Sequence, residues 1–179
     1  VLEGRLLRRQ GKGTQVLAKP LVYPVEAGSA FSQSLSALGH RVEAQLIERL
    51  RRTGSSEECR HLQLPEGSEL IELATLRLLD GQPLSLIRHR FCASLAPLLA
   101  DYQGGSLRQY LAERDLPLAR TFSLIGARLP SPEEAAHLLM PRHAPLLSVL
   151  TLSRDPAGRA VELAQSSSRA DRFQYQVAT

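Results

Sequence analysis

The sequence predicts an α+β fold, with a mostly antiparallel sheet of about six strands and helices inserted between hairpins. Two observations lead to this class. Strand-like segments come in pairs joined by short turns, and segments with helix-capping signals separate those pairs. The composition agrees, because 179 residues that are 43% hydrophobic and 22% charged can bury one sizeable core.

The chain opens with a basic hairpin around Gly11-Lys12-Gly13. Glycine permits the tight turn, and Arg8, Arg9 and Lys12 decorate its tip. Residues 1–20 hold five Lys/Arg and one acidic residue, so the whole net charge of +4 lies there. The chain starts at a valine that belongs to the middle of an element, so we expect a fragment of a longer protein.

Three further segments precede the main sheet. Residues 20–30 contain two prolines that disfavour helix, which predicts a linker. The apolar spacing of residues 31–38 predicts a short amphipathic helix. Residues 42–51 fit a strand or a helix, and we favour the strand.

Capping and turn signals define the later elements. Ser55 and Glu58 fit a capping box, and Ser131-Pro-Glu-Glu134 is the clearest helix start in the chain. Short turns at Asp80-Gly81-Gln82 and Asp155-Pro-Ala-Gly158 predict two antiparallel hairpins. The remaining predictions are helices over 95–100 and 106–113 and strands over 69–79, 83–91, 121–129, 146–154, 160–167 and 173–177.

Alternation along 69–79 places two polar residues, Thr75 and Arg77, on a face that is otherwise aliphatic. A guanidinium in such a place needs a partner, because its desolvation is costly. An internal ion pair with Glu72, Glu162 or Asp171 is one interpretation. The other is that Arg77 binds an anion at the base of a pocket.

The strand predicted over 83–91, which pairs with 69–79, gives a third polar candidate for the pocket. His89 shares a face with Ser85, while Arg88 and Arg90 lie on the other face and are expected to be solvated. His89 is either a satisfied core histidine or a ligand-binding residue.

The last hairpin repeats this pattern. Glu162, Ser166 and Ser168 share a face, which indicates room for a ligand or else an edge strand with solvated serines. Ser106 starts a helix, where it either only caps the helix or also meets an anion.

Enzymatic, metal and cofactor chemistry have no signal in the sequence. Gly-x-Ser-x-Gly, His-x-x-x-His and CxxC motifs are absent, and Cys59 and Cys92 lack metal-ligand spacing. We expect both cysteines to be reduced, buried or half-buried thiols of a cytoplasmic protein. No run of about 18 apolar residues would cross a membrane.

Taken together, these segments resemble transcription regulators of the GntR type. Residues 6–16, LLRRQGKGTQV, resemble the wing of their winged helix-turn-helix, and the rest resembles the effector-binding (UTRA) domain of the HutC subfamily, which has a chorismate-lyase-like fold. Among its members, repressors of phosphonate-utilisation operons are the most similar. The segments that carry this similarity are Phe31-Ser-Gln-Ser-Leu35, Thr75-Leu-Arg77, Leu86-Ile-Arg-His-Arg-Phe91 and Ser168-Arg-Ala-Asp171.

The resemblance implies specific roles for several residues. Arg77 and Ser106 match anion ligands of the family, and Thr75 replaces an arginine that many members carry. Glu162 matches a ligand-contacting Glu, and Ser168 stands where a Tyr is common. The departures at Thr75 and Ser168 favour a smaller or differently shaped anion than a sugar phosphate.

The resemblance also implies an organisation. Residues 1–19 would be the remnant of the wing, 20–30 the linker and 31–179 the effector-binding and dimerisation domain. We expect a non-enzymatic sensor of a small anionic metabolite, a phosphonate or phosphate ester, in a homodimeric repressor that meets operator DNA through the full-length protein. With the recognition helices missing, this chain alone should bind DNA weakly or not at all.

Two alternatives remain at this stage. One is a chorismate-lyase-type enzyme with the same fold, and the other is a dimerisation module with a degenerate pocket.

Overall fold

The computed structural model describes residues 6–9, 13–16, 21–24 and 40–176. The predicted helix over 31–38 and the side chain of Lys12 lie outside these residues, and for 6–9 and 13–16 only the backbone is described. The α+β class and the antiparallel sheet of six strands are confirmed.

Strands account for most of the described residues. They are β1 (Leu6–Arg9), β2 (Gly13–Val16), β3 (Leu21–Pro24), β4 (Val42–Thr53), β5 (Glu69–Leu79), β6 (Gln82–Cys92), β7 (Ala119–Arg128), β8 (Leu146–Arg154), β9 (Ala160–Arg169) and β10 (Phe173–Gln176).

Short helices connect the strands. They are α1 (Ser56–His61), α2 (Ala96–Leu99) after a 3₁₀ turn at Ala93–Leu95, α3 (Leu107–Ala112) and α4 (Pro132–His137). Capping boxes start α1 at Ser55 and α4 at Ser131, and Ser106 caps α3, as the sequence predicts.

The main sheet has the order β4-β5-β6-β9-β8-β7, with every neighbouring pair antiparallel. Both predicted hairpins, β5–β6 and β8–β9, are present and lie side by side. The segment 42–51 is a strand, as favoured. Strands β4 and β7 are therefore the two edges of this sheet.

Two small strand pairs lie outside the main sheet. Strands β1 and β2 pair in antiparallel fashion, which confirms the predicted hairpin at the backbone level. Strand β3 pairs in parallel with β10. The interval 20–30, predicted as a linker, thus contains a strand whose partner is distant in sequence, so no local pattern could predict it.

The apolar core occupies both faces of the sheet. On one face Leu73 and Phe91 pack with residues from the segment of α2 and α3, among them Leu99 and Leu111. On the other face, two clusters bring Leu62 after α1 and Leu138 after α4 against the sheet. The sheet is thus covered by helical segments on both sides, and the α3 side leaves space for a cavity.

The edge strand β4 is bound by a glycine loop. Gly105 N donates to Ala44 O at 2.7 Å, and Gly104 forms a β-bridge with Gln45. A Cβ at Gly104 would lie 2.7 Å from Ala44 O, and its φ of +138° is one that other residues rarely adopt. Glycine is therefore required where this loop closes one side of the cavity.

Candidate functional site

A cavity of about 460 Å³ lies between the α3 side of the sheet and the segment 102–120. All six strands of the main sheet contribute to its wall, together with α3 and β10. The polar residues on the wall are Glu43, Gln45, Thr75, Arg77, His89, Tyr102, Ser106, Arg108, Arg120, Ser123, Thr151, Ser153, Glu162, Ser166 and Tyr175. Aliphatic side chains such as Ile87, Leu107 and Val149 fill the spaces between them.

Five of the six predicted ligand-binding residues line this cavity: Thr75, Arg77, His89, Ser106 and Glu162. Strand alternation accounts for four of them, since side chains two residues apart share a face. The fifth, Ser106, lies at the start of α3, where its Oγ accepts from Gln109 N at 3.3 Å.

The sixth residue, Ser168, is not on the cavity wall. Its side chain is buried, and its Oγ lies 2.8 Å from Ser85 Oγ and 3.4 Å from Ser166 Oγ. Ser166 does line the cavity, and Ser168, two residues further along β9 on the same face, lies next to that wall. Because β9 is a central strand, the interpretation of these serines as solvated edge residues is wrong.

Arg77 faces the cavity, and each of the three carboxylates considered as its partner contacts another basic side chain. Glu72 lies on the opposite face of the sheet with Arg52, Arg88 and Arg90. Glu162 binds His89 at 2.7 Å, and Asp171 binds Arg169 at 2.6 Å.

Arg88 and Arg90 lie on the face opposite His89, as predicted, but they are not solvated. Their side chains are only 20% and 13% exposed, and both contact Glu72, whose side chain is 6% exposed. Glu58 of α1 also binds Arg90, and Glu133 of α4 binds Arg88. Strand parity identified the face correctly but gave no information about the two helices that cover it.

The sequence reasoning missed two other arginines of the cavity. Arg108 lies on α3 and Arg120 on β7, so together with Arg77 three elements bring guanidinium groups to one cavity. Neither residue interrupts an apolar pattern, so the sequence carries no signal for them. Only the folded chain brings these elements together.

Burial and nearby charges shift the pKa values of two tyrosines and of Glu162 in the cavity. Burial raises the pKa of Tyr102 to about 12, with Glu162 adding to the rise and Arg77 opposing it. Burial also raises the pKa of Tyr175, against the influence of hydrogen bonds from its serine neighbours and of the guanidinium groups of Arg77 and Arg120. Both tyrosines are therefore neutral hydrogen-bonding groups at neutral pH.

Glu162 is the one strongly buried carboxylate that the described cavity wall contains. Burial by itself raises its pKa, but the hydrogen bond and charge of His89, together with Ser153 and Arg108, bring the pKa below the usual value. Glu162 is therefore ionised. Its charge, close to His89 and Arg108, gives the cavity both signs of charge.

Ser153 is a further polar group of the cavity. Its Oγ is buried and has no hydrogen-bond partner of good geometry, although it lies close enough to Glu162 to help lower that carboxyl's pKa. A buried hydroxyl without such a partner is uncommon, and this one lies on the cavity wall.

Metal and thiol chemistry have little support in the structure. Within residues 40–176 and the described short strands, no group of three His, Cys, Asp or Glu side chains could hold a metal ion. Cys59 is buried and Cys92 half-buried, and both are free thiols, as predicted. Among the described residues, no helix has the length and apolar character needed to cross a membrane.

Known proteins resemble this chain over almost its whole length. A family model described as the UTRA domain matches residues 37–174. The probable transcriptional regulator PhnF of Escherichia coli is 35% identical over 178 residues, which cover 98% of this chain and 74% of the relative. An uncharacterized HTH-type transcriptional regulator of Rhizobium meliloti is 30% identical, covering 99% of this chain and 74% of the relative.

A solved structure of a similar protein has the same fold as this chain. The crystal structure of PhnF from Mycobacterium smegmatis superposes with a TM-score of 0.84 at 25% identity, covering 98% of this chain and 78% of that one. These similar proteins are transcription regulators and not enzymes, which confirms the non-enzymatic prediction.

Proposed function

We propose, from the premise that this chain belongs to the UTRA domain family and is the effector domain of a transcription regulator, that its cavity binds a small anionic metabolite, a phosphonate or phosphate ester. The observation that carries the proposal is the convergence of Arg77, Arg108 and Arg120 on one cavity. A guanidinium offers parallel N–H donors that match the oxygens of phosphonate, phosphate and carboxylate groups.

The size and the apolar part of the wall support a small organic anion. A volume of about 460 Å³ lies in the usual range of small-molecule sites. Ile87, Leu107 and Leu118 offer apolar surface to an alkyl substituent, while the arginines face the charged group. The resemblance to repressors of phosphonate-utilisation operons favours a phosphonate.

Two polar groups of the wall complement the arginines. Ser153 Oγ, which has no partner of good geometry, would donate its hydroxyl proton to an oxygen of the ligand. Tyr102 stays protonated because burial raises its pKa to about 12, so it adds no negative charge that would repel an anion.

Transmission to DNA is the second part of the proposal. The basic hairpin β1–β2, with Arg8, Arg9 and Lys12, would be the wing that contacts operator phosphates in the full-length homodimeric repressor. Tyr175 of the cavity wall lies on β10, which pairs with β3, the next strand after this hairpin. An effector regulates DNA binding only if it favours one arrangement of these parts over another.

Isothermal titration calorimetry with methylphosphonate, longer alkylphosphonates and phosphate esters tests the anion site. We expect Arg77→Ala to weaken binding about 10- to 100-fold, the value of one charge-assisted contact. Arg142→Ala is the matched control, because Arg142 is exposed and lies outside the cavity wall. Equal affinities in wild type and Arg77→Ala would contradict the anion site.

A thermal-shift screen separates this function from that of a dimerisation module with a degenerate pocket. An anion that binds only the folded state stabilises it by RT ln(1 + L/Kd), where L is the free anion concentration, so Tm rises as L exceeds Kd. If no phosphonate, phosphate ester or carboxylate raises Tm at millimolar concentration, the degenerate-pocket alternative is favoured.

A further inference from the structure

The cavity wall is built from rows of side chains that run across the strands of the main sheet. One row contains Arg77 of β5, which pairs with Ser85 of β6, and Ser85 in turn pairs with Ser168 of β9. Side chains of directly paired residues lie on the same face of a sheet. This row therefore marks one end of the cavity, which we call the Arg77 end.

A second row contains Arg120 of β7, which pairs with Ser153 of β8, and Ser153 pairs with Glu162 of β9. The charge of Arg108 acts on Glu162, so the Arg108 guanidinium lies near the same row. Glu162 and Ser168 are six residues apart on β9, and this separation corresponds to about 20 Å of extended strand. The row of Arg120 is therefore a separate end of the cavity, the Arg120 end.

The surface between the two ends carries aliphatic side chains. Ile87 of β6 and Val149 of β8 both pair with Ser166, which lies between the two rows on β9. Leu107 and Leu118 add apolar surface from the segment that covers the sheet. A ligand that reaches from one end to the other would therefore have a carbon chain in its middle.

The charge at the Arg120 end determines what a ligand presents there. Arg108 and Arg120 bring two positive charges, and Glu162 brings one negative charge, because its pKa is below the usual value. His89 binds the Glu162 carboxylate at 2.7 Å and adds no negative charge of its own. Among the described wall residues this end is net positive, so it attracts an anion and repels an ammonium group.

The Arg77 end is also net positive. Ala44 of β4 pairs with Arg77, and the preceding residue, Glu43, belongs to the cavity wall. The Glu43 carboxylate binds Arg41 at 2.9 Å, so these two charges balance each other. Together with Arg77, the described charges at this end sum to a positive value.

We propose that the effector carries two anionic groups joined by a short carbon chain, one at each end of the cavity, as in a phosphonate or phosphate ester that also bears a carboxylate. This inference rests on the proposed function, because it specifies the anion that the same cavity binds. A ligand with one anionic group would meet only one of the two basic ends. An ammonium group in place of the carboxylate would bring a positive charge to an end that is already net positive.

Isothermal titration calorimetry with a matched series of ligands tests the second anionic group. Propylphosphonate, phosphonopropionate and aminoethylphosphonate share the phosphonate and end in a methyl, a carboxylate or an ammonium group. We expect phosphonopropionate, or a homologue with one or two further methylene groups, to bind at least about 10-fold more tightly than the alkylphosphonate of the same length, the value of one contact between charged groups. The aminoalkylphosphonates should bind no more tightly than the alkylphosphonates.

Arg77→Gln and Arg120→Gln show whether the two ends bind separate groups of the ligand. Loss of the arginine that meets the carboxylate should abolish the advantage of the phosphonocarboxylate over the alkylphosphonate. Loss of the arginine that meets the phosphonate should weaken both ligands by a similar factor. Arg142→Gln is the control and should keep both affinities, because Arg142 is exposed and lies outside the cavity wall.

The same measurements separate a failure of this inference from a failure of the proposed function. Equal affinities for alkylphosphonate and phosphonocarboxylate at every chain length would overturn the second anionic group and leave the proposed function standing. Tighter binding of the aminoalkylphosphonate, or a carboxylate advantage that persists in both arginine variants, would have the same consequence. If none of the three ligand classes binds, the proposed anion site fails as well.

Discussion

His89 joins side chains from two neighbouring strands inside the cavity. Its Nδ1 lies 2.7 Å from Glu162 Oε1 and its Nε2 lies 3.1 Å from Thr75 Oγ1, and all three residues are buried. Burial alone would raise the pKa of Glu162, and the contact with His89 brings it below the usual value. The contact with His89 therefore keeps the Glu162 carboxylate ionised in a site that we propose for anions.

We expect His89→Ala to destabilise the protein by about 3 kcal/mol at pH 7, because it leaves a buried carboxylate without its hydrogen-bond donor. The double variant His89→Ala/Glu162→Gln should recover most of this loss, since the uncompensated charge is gone. Urea denaturation of both variants measures the difference. A double variant as unstable as His89→Ala would indicate that lost packing, and not the charge, is responsible.

The pH dependence of the same variant provides an independent check. In the wild type the pKa of Glu162 is below its unfolded value, so this group's contribution is present above the ordinary carboxyl pKa and is lost as pH falls through the folded pKa. In His89→Ala we expect the pKa to be raised, so protonation favours the folded state. The stability gap between variant and wild type should narrow between pH 7 and about pH 5. A gap that is constant over this interval would contradict the assigned charge.

The ion cluster on the other face of the sheet depends on Glu72. Its carboxylate accepts from Arg52 at 2.6 Å, Arg90 at 3.0 Å and Arg88 at 3.1 Å, and these contacts lower its pKa although burial alone would raise it. Glu72→Gln should cost about 3 kcal/mol, because it leaves several partly buried guanidinium groups short of negative charge.

Glu69→Gln provides the matched control on the same strand. Glu69 also binds an arginine, Arg51, at 2.6 Å, but both side chains are more than half exposed, 57% and 58%. We expect a cost of at most about 0.5 kcal/mol, as is usual for exposed ion pairs. Similar losses in both variants, measured by urea denaturation, would mean that burial does not determine the strength of these pairs.

Strand alternation explains how much of the cavity could be predicted. Thr75, Arg77, His89 and Glu162 each stand where an apolar side chain belongs on an inward face, so a period of two identifies them. Turn chemistry likewise predicted both hairpins of the main sheet, because Asp80-Gly81 and Asp155-Pro-Ala-Gly158 favour tight turns. These signals are local, and the structure confirms them.

The rest of the site depends on contacts between segments distant in sequence. Arg120 lies on β7, an edge strand of the main sheet. Strand β10 pairs with β3, and about 150 residues separate these two strands in the sequence. The solvated role expected for Arg88 and Arg90 failed for the same reason, since α1 and α4 cover that face. Periodicity identifies the face of a residue, but tertiary packing determines what lies against it.

Ser153 and Ser85 allow a test of the role of the Ser153 hydroxyl in the cavity. Both are buried to the same degree, but Ser85 Oγ has a partner in Ser168 at 2.8 Å and Ser153 Oγ has none of good geometry. Without ligand, Ser153→Ala should change stability by less than about 0.5 kcal/mol, whereas Ser85→Ala should lose about 1 kcal/mol. Thermal or urea unfolding distinguishes the two variants.

With ligand the order of the two serines should reverse. If the phosphonate satisfies Ser153 Oγ, Ser153→Ala should weaken methylphosphonate binding about 5- to 10-fold, the value of one hydrogen bond to a charged group. Ser85→Ala should leave the affinity unchanged, because Ser85 does not line the cavity. Calorimetry on both variants is the measurement, and an unchanged affinity in Ser153→Ala would place the anion away from β8, nearer to Arg77.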